Sequence, residues 1–369
     1  MTPFVFFLAA QITYDYGVLG LLGYSTMWAI SFIVVFFIKN KNGILQNDPV
    51  LMKIVKSIYQ VEIIICLSLV VKIILTENIP GYLAFINIIL LVIIPLFIIY
   101  LNKLNEKLVP IGTVLLGIAL SFLIPILVYL KVSIPTVYSG LHFLSTDLLK
   151  FDKVATWCLI LSIGIILMVH QYLFRMTDVE YKEQQKPGPF IIAGIISAIV
   201  TISFGSISFL GSAQAVMPDL SDRVSIQVIQ RFGGQFGQVL FVSIIIFISF
   251  FVLNKIWHSI KAITSVSIPA SVGKYLFLPL IIVLYLDLTI LDVFLLAGLI
   301  WGPFSGIILL PSVSRNKTRA SLFFGMAMGF TFAVTVDITS GIIIGAITSI
   351  TVMFGVRLLT LYKKKNILA

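Results

Sequence analysis

Apolar residues fall in uninterrupted runs of about 20 positions, separated by short polar stretches carrying lysine and arginine. Within a run, apolar and polar positions do not alternate, so the runs read as helices. Barrel strands would be alternating segments of about 10 residues. After an apolar start from Pro3 to Ala10, the pattern predicts eleven membrane spans. They fall near 17–38, 57–77, 79–101, 108–131, 154–174, 189–211, 238–257, 273–288, 290–312, 318–336 and 339–361. Two connections between them are long. One, 132–153, holds an amphipathic stretch from Tyr138 to Phe151; the other, 212–237, holds Pro218, Asp219 and the pair Gly233-Gly234. Each reads as a lid or as a surface cap.

Composition sharpens this to an all-α polytopic membrane protein. Of 369 residues, 59% are hydrophobic and 11% are charged, too few to cover a water-facing surface. In lipid the backbone must satisfy its own hydrogen bonds, which helices do. The net charge of +10 does not point to nucleic acid. With the first full span running inward, every lysine and arginine except Lys72, Lys131, Lys150, Lys153, Arg223 and Arg231 falls on one side. That bias marks the cytoplasmic face and sets the carboxyl terminus there, in a multi-pass protein of the cell membrane. Cys66 and Cys158 lie inside apolar runs and imply neither a disulfide nor a metal site. No soluble domain or low-complexity tract interrupts the chain, so 1–369 reads as one membrane domain.

Several stretches resemble the sodium:solute symporter family. They are "LSIGIILMVHQYLFRMTDVEYKEQQKPGPF", "FGSISFLGSAQAVMPDL", "FGGQFGQVLFVSIIIFISFFVLNKIWHSIKAITSVSI" and the stretch from "LIWGPFSGIILLPSVSRNK" to "SITVMFGVRLL". More loosely, "YDYGVLGLLGYSTMWAISFIVVFFIKN" is similar to the family's second core helix. The resemblance implies a LeuT-like bundle of two inverted five-helix repeats, here 1–131 (incomplete) and 154–312, followed by two further helices over 318–361. It implies a secondary transporter of a small organic solute working by alternating access, with broken helices at the site. The first core helix is expected to be cut short. Either the chain's true start lies upstream, or the site is incomplete. A transport-inactive relative serving as sensor, scaffold or partner subunit is the alternative.

In the family, the helix holding Ser162 and Gly164 lines the substrate site, and Ser25 matches a position that is polar in sugar-carrying relatives. With Trp28, Trp157, Gln171 and Trp301 these form the expected substrate lining. Each has a plainer reading: close packing for Gly164, a bond to its own helix for Ser25, an interfacial belt for Trp157. Trp301, Gly302 and Pro303 read as a helix break. For ion coupling, Glu62 and His170 are the ionisable candidates within apolar runs. Glu62 equally reaches the interface. The family's sodium-ligand positions match Phe251 and Val252, which have no side-chain oxygen, so sodium is expected to bind there poorly. A shift of two residues brings in Ser249 or Asn254. Gly325, Gly329, Gly341 and Gly345 read as helix packing. Neither a metal pattern nor a nucleophile motif is present, which ranks an enzyme last, and no cofactor is expected.

Overall fold

The computed structural model describes residues 2–38, 49–77, 108–177, 187–264, 287–310 and 315–367. Among them lie twelve α-helices and no strand. They are α1 (Phe4–Ile38), α2 (Pro49–Thr76), α3 (Leu108–Tyr129), α4 (Ile134–Leu144), α5 (Val154–Thr177), α6 (Pro187–Gly205), α7 (Ile207–Ala213), α8 (Val224–Val228), α9 (Gly234–Thr264), α10 (Ile290–Leu309), α11 (Arg315–Thr335) and α12 (Ile338–Ile367). Among the described residues, seven helical stretches are long and apolar enough to cross a membrane, or eight if α3 and α4, bent by 78°, form one span. This is the architecture of a helical membrane protein. The expected spans at 79–101 and 273–288 lie largely or wholly outside the described residues.

Two expectations are corrected, and a third is met only in part. The stretch 212–237 is not a loop throughout. It forms a 3-10 turn at Ser221–Arg223, then α8, then a π-helical turn at Ile229–Gly233, all within one apolar stretch from Ser221 to Leu253. The expected span 318–336 is helical as α11, but it is not among the stretches that qualify. It opens on Arg315, Lys317 and Arg319. Trp301, Gly302 and Pro303 do not break their helix, since α10 runs from Ile290 to Leu309 with Pro303 inside it. The proline ring packs instead on a bare-backbone surface, where a Cβ on Gly325 or Gly345 would lie 3.0 Å and 3.3 Å from it.

A real break lies elsewhere. Gly17 interrupts α1 at φ 69° and ψ −152°, a conformation open essentially to glycine alone. It coincides with the expected start of the span 17–38. The helix before it, from Phe4, runs past the apolar start at 3–10. Gly234 makes a similar break at φ 68° and ψ −175°, between the π turn and α9.

The chain divides into two compact units, each gathered from three segments. The first holds 1–25, 60–152 and 199–293. Its core includes Phe6 edge-on to Phe204 at 5.1 Å, and Phe204 stacked on Phe241 at 5.5 Å. Tyr129 donates its hydroxyl proton to the Ser206 carbonyl at 2.6 Å, satisfying the polar tip of a mostly apolar side chain.

The second unit holds 26–59, 153–198 and 294–369. Its closest pairing is between α11 and α12. A Cβ on Gly325 would meet the Gly345 carbonyl at 2.9 Å, and one on Gly341 would meet the Gly329 carbonyl at 2.6 Å. Ser321 donates to the Ser349 carbonyl at 2.9 Å. The partners step by four in opposite directions along the two helices, so the pair is antiparallel with small residues at every turn of the seam.

Candidate functional site

In the second unit, α5 carries five of the expected site residues. Ser162 is buried, and its hydroxyl proton is shared between the Cys158 carbonyl at 2.9 Å and the Thr339 carbonyl of α12 at 3.0 Å. Gly164 makes room for Met27, whose sulfur would lie 2.6 Å from a Cβ there. Two turns on, the buried His170 ring is enclosed edge-on by Tyr59 at 5.1 Å, Phe294 at 5.5 Å and Trp301 at 5.7 Å. The structure therefore joins His170 and Trp301, which the sequence had singled out for different reasons. Gln171 is half-buried beside it in sequence. Trp28 packs near Phe32 at 6.3 Å, and Trp157 is exposed.

The remaining expected residues belong to the first unit. Ser25 and Ser249 are buried, and each donates to its own helix, to Leu22 at 2.9 Å and Ile245 at 2.8 Å. Phe251 and Val252 are buried apolar groups of α9. Asn254 lies on α9 with its side chain outside the described residues. Glu62 is buried on α2. Lys72, ten residues on, approaches the exposed Asp287 carboxylate at 3.8 Å.

A polar network that the sequence reading did not assemble lies beside the Gly17 break. Gln11 and Asp15 sit one turn apart on α1 before that break. Gln11 is buried; its amide oxygen accepts from the Leu291 N–H at 3.1 Å and its amide nitrogen donates to Ser221 at 3.1 Å. Ser221 passes its own proton to Asp15 at 2.9 Å. Next to it, Asp222 is buried and accepts from the Ile290 N–H at 3.2 Å. Both contacts satisfy N–H groups in the first turn of α10, which has no intrahelical partner for them. Asp292, in that same turn, takes bonds from Thr289 and lies within electrostatic reach of both Asp15 and Asp222.

Further charges flank this network. Arg223 approaches Asp219 at 3.7 Å, and Gln227 of α8 donates to Glu77 at 3.3 Å. Burial pushes the Glu77 carboxyl up and Asp219 adds to it, while the Gln227 amide and Arg223 pull the other way. The sequence signal available was modest: Gln11, Thr13 and Asp15 punctuate an apolar run just before Gly17. Comparison with family models, with curated proteins and with solved structures finds no match for this chain.

Proposed function

We propose that the chain is a secondary transporter that moves a small organic solute across the cell membrane by alternating access. The finer plan is that of the sodium:solute symporters, with eleven spans and two inverted repeats. One observation carries the reading: two apolar helical stretches of one unit are broken by glycines in conformations closed to other residues, at Gly17 and Gly234. Broken helices free backbone groups at membrane depth, and proteins tolerate this where a polar solute or ion passes. The network of Gln11, Asp15, Ser221 and Asp222 beside the first break supplies polar groups such a path requires.

A transport-inactive relative is the second reading. It is favoured by Phe251 and Val252, apolar where the resemblance calls for ion ligands. Purified protein in liposomes separates the two. Uptake of radiolabelled sugars, amino acids and short carboxylates is measured against an imposed sodium or proton gradient. The transporter reading expects concentrative uptake of at least one solute that collapses when the gradient is dissipated. Uptake indistinguishable from empty liposomes across the panel and both gradients sinks it.

A further inference from the structure

From the sequence, 132–153 is either a lid or a surface cap, and α4 within it separates the two. It leaves α3 at 78°. The 22 residues of α3 reach about 33 Å, enough to cross the hydrocarbon unaided, so α4 is not needed to finish that span. It runs across the end of α3 instead.

Three flanks of α4 differ in character. Val137 and Leu141, four positions apart, are buried. Gly140 beside them lets the helix approach α7, where a Cβ would lie 2.6 Å from the Ala213 carbonyl oxygen. That flank is held by protein. Ile134, Tyr138 and His142 recur at every fourth position and share the next flank. Ile134 is 71% exposed and Tyr138 61%, and the His142 ring stacks on that of Tyr138 at 6.4 Å. Beyond them lie Thr136 and Ser139, both exposed.

What covers the middle flank follows from its surroundings. On α3, Leu115, Phe122 and Ile126 are exposed, on the side that a spanning helix turns to lipid. The stripe continues past the bend in steps of four, through Leu130 at 77% exposure to Ile134 and Tyr138. None of the eleven residues of α4 is an acid, a lysine or an arginine, while Lys131 precedes it and Asp147, Lys150 and Asp152 follow it. In water, this stripe would stay wetted with no charge on its helix to offset it. In the hydrocarbon, the flanking charges would be drawn in at high cost. The headgroup region meets both conditions, and a tyrosine ring with a polar tip suits that depth.

We infer that α4 is an interfacial helix whose flank of Ile134, Tyr138 and His142 is seated in the phospholipid headgroup region at that end of α3. The partner is the lipid surface itself. The turn after α4 places the Leu148 backbone against the Gly17 break, so the leaflet anchors the segment that covers this break in α1. The inference rests on the membrane architecture and is independent of the transporter reading.

The test attaches a nitroxide to cysteine variants of the full chain in phosphatidylcholine nanodiscs. Collisions with oxygen, which concentrates in lipid, are compared with those of a water-soluble nickel chelate. Wild type, with its native Cys66 and Cys158, gives the background to subtract. Leu123→Cys, on the exposed side of α3, marks the hydrocarbon, and Asp152→Cys marks water. Ile134→Cys and Tyr138→Cys should fall between these two references, and Ser139→Cys should shift from them towards Asp152→Cys. Tyr138→Trp keeps a ring and gives a second readout. The emission it adds over wild type should be quenched by bromine on the lipid chains near the headgroup and spared by iodide in the water. The inference fails if positions 134 and 138 meet the nickel chelate as freely as 152, which makes α4 a water-facing lid. It fails if both are shielded from both reagents, which means protein covers them. It fails if they match Leu123→Cys, which makes α4 re-entrant, or if iodide quenches Tyr138→Trp and brominated lipid does not.

Discussion

The ring of His170 meets that of Trp301 edge-on, with 5.7 Å between centroids and 80° between planes. Phe294 and Tyr59 complete the enclosure, and Phe304 lies 6.0 Å from Trp301. Edge-to-face contacts set the positive rim of one ring against the negative face of another. The cluster therefore joins α5 to α10 and to the first part of α2 through ring packing. Trp301→Ala leaves a large void in it and should cost about 3 kcal/mol of stability. Trp301→Phe should cost about half as much. His170→Phe keeps a ring in place, so it should unfold closer to wild type than His170→Ala does. Unfolding of the purified protein in denaturing detergent gives the ranking. Equal losses for His170→Phe and His170→Ala would show that ring packing is not what His170 contributes.

Gly17 has two separate reasons to be glycine. Its backbone angles are closed to side chains, and a Cβ would collide with the Leu148 backbone carbonyl, which lies in the 3-10 turn Thr146–Leu149. Gly17→Ala should therefore cost more than the strain of about 1–3 kcal/mol alone. Gly355 is the control. A Cβ there meets nothing within 4 Å, and the residue lies inside α12, so Gly355→Ala should gain about 0.5–1 kcal/mol. Paired melting curves decide. A Gly17→Ala variant as stable as wild type would mean that α1 straightens without loss, and the broken-helix argument for transport would go with it.

The difference between Gly17 and the network beside it explains what the sequence could and could not reveal. Helical spans are local: an apolar run of sufficient length carries its own signal. The network is not local. Gln11 meets Ser221 across 210 positions and Leu291 across 280, and no periodicity links such distant residues. The stretch 212–237 misled for a related reason. Pro218, Asp219 and the glycine pair are strong turn signals, and they concealed the short helical segment between them, which carries Asp222. Pro303 misled in the opposite sense. Proline predicts a break, yet the glycines of α11 and α12 offer a surface against which its ring packs within a continuous helix.

The α11–α12 seam was legible from its four glycines, and its energetics can be tested directly. Gly341 faces the Gly329 carbonyl and the Ala333 side chain, so a larger residue must push the helices apart. Gly341→Val should destabilise by about 2 kcal/mol through overpacking. Gly341→Ala should fall between it and wild type, since its added methyl is also too close at 2.6 Å. The same denaturing-detergent titration reads both. If valine is tolerated without loss, close backbone approach is not what holds this pair, and the seam has room to slide.

Asp337 caps α12 from outside the membrane-spanning stretch, and its stability contribution depends on charge. Its carboxylate accepts the Ser340 N–H at 2.8 Å, the Ser340 hydroxyl at 2.7 Å and the Thr339 hydroxyl. Slight burial pushes the carboxyl up, but these hydrogen bonds, the first from Thr339, outweigh it and hold the group below its usual 3.8. A depressed value means that the folded state binds the proton less readily than the unfolded chain. The contribution is therefore complete above the unfolded value and is lost as pH falls through the lower folded one. Because Asp337 is exposed, solvent screening keeps the charge effect small. Asp337→Ala should cost about 1 kcal/mol near neutral pH, the ordinary worth of a helix cap. Asp337→Asn retains an acceptor for the Ser340 N–H and should lose less, while removing this residue's share of the acid sensitivity. Melting temperatures of the three proteins from pH 7 down to the most acidic buffer they tolerate provide the check. If wild type and Asp337→Asn lose stability in parallel on acidification, the acid response belongs to other carboxylates and this cap acts through geometry alone.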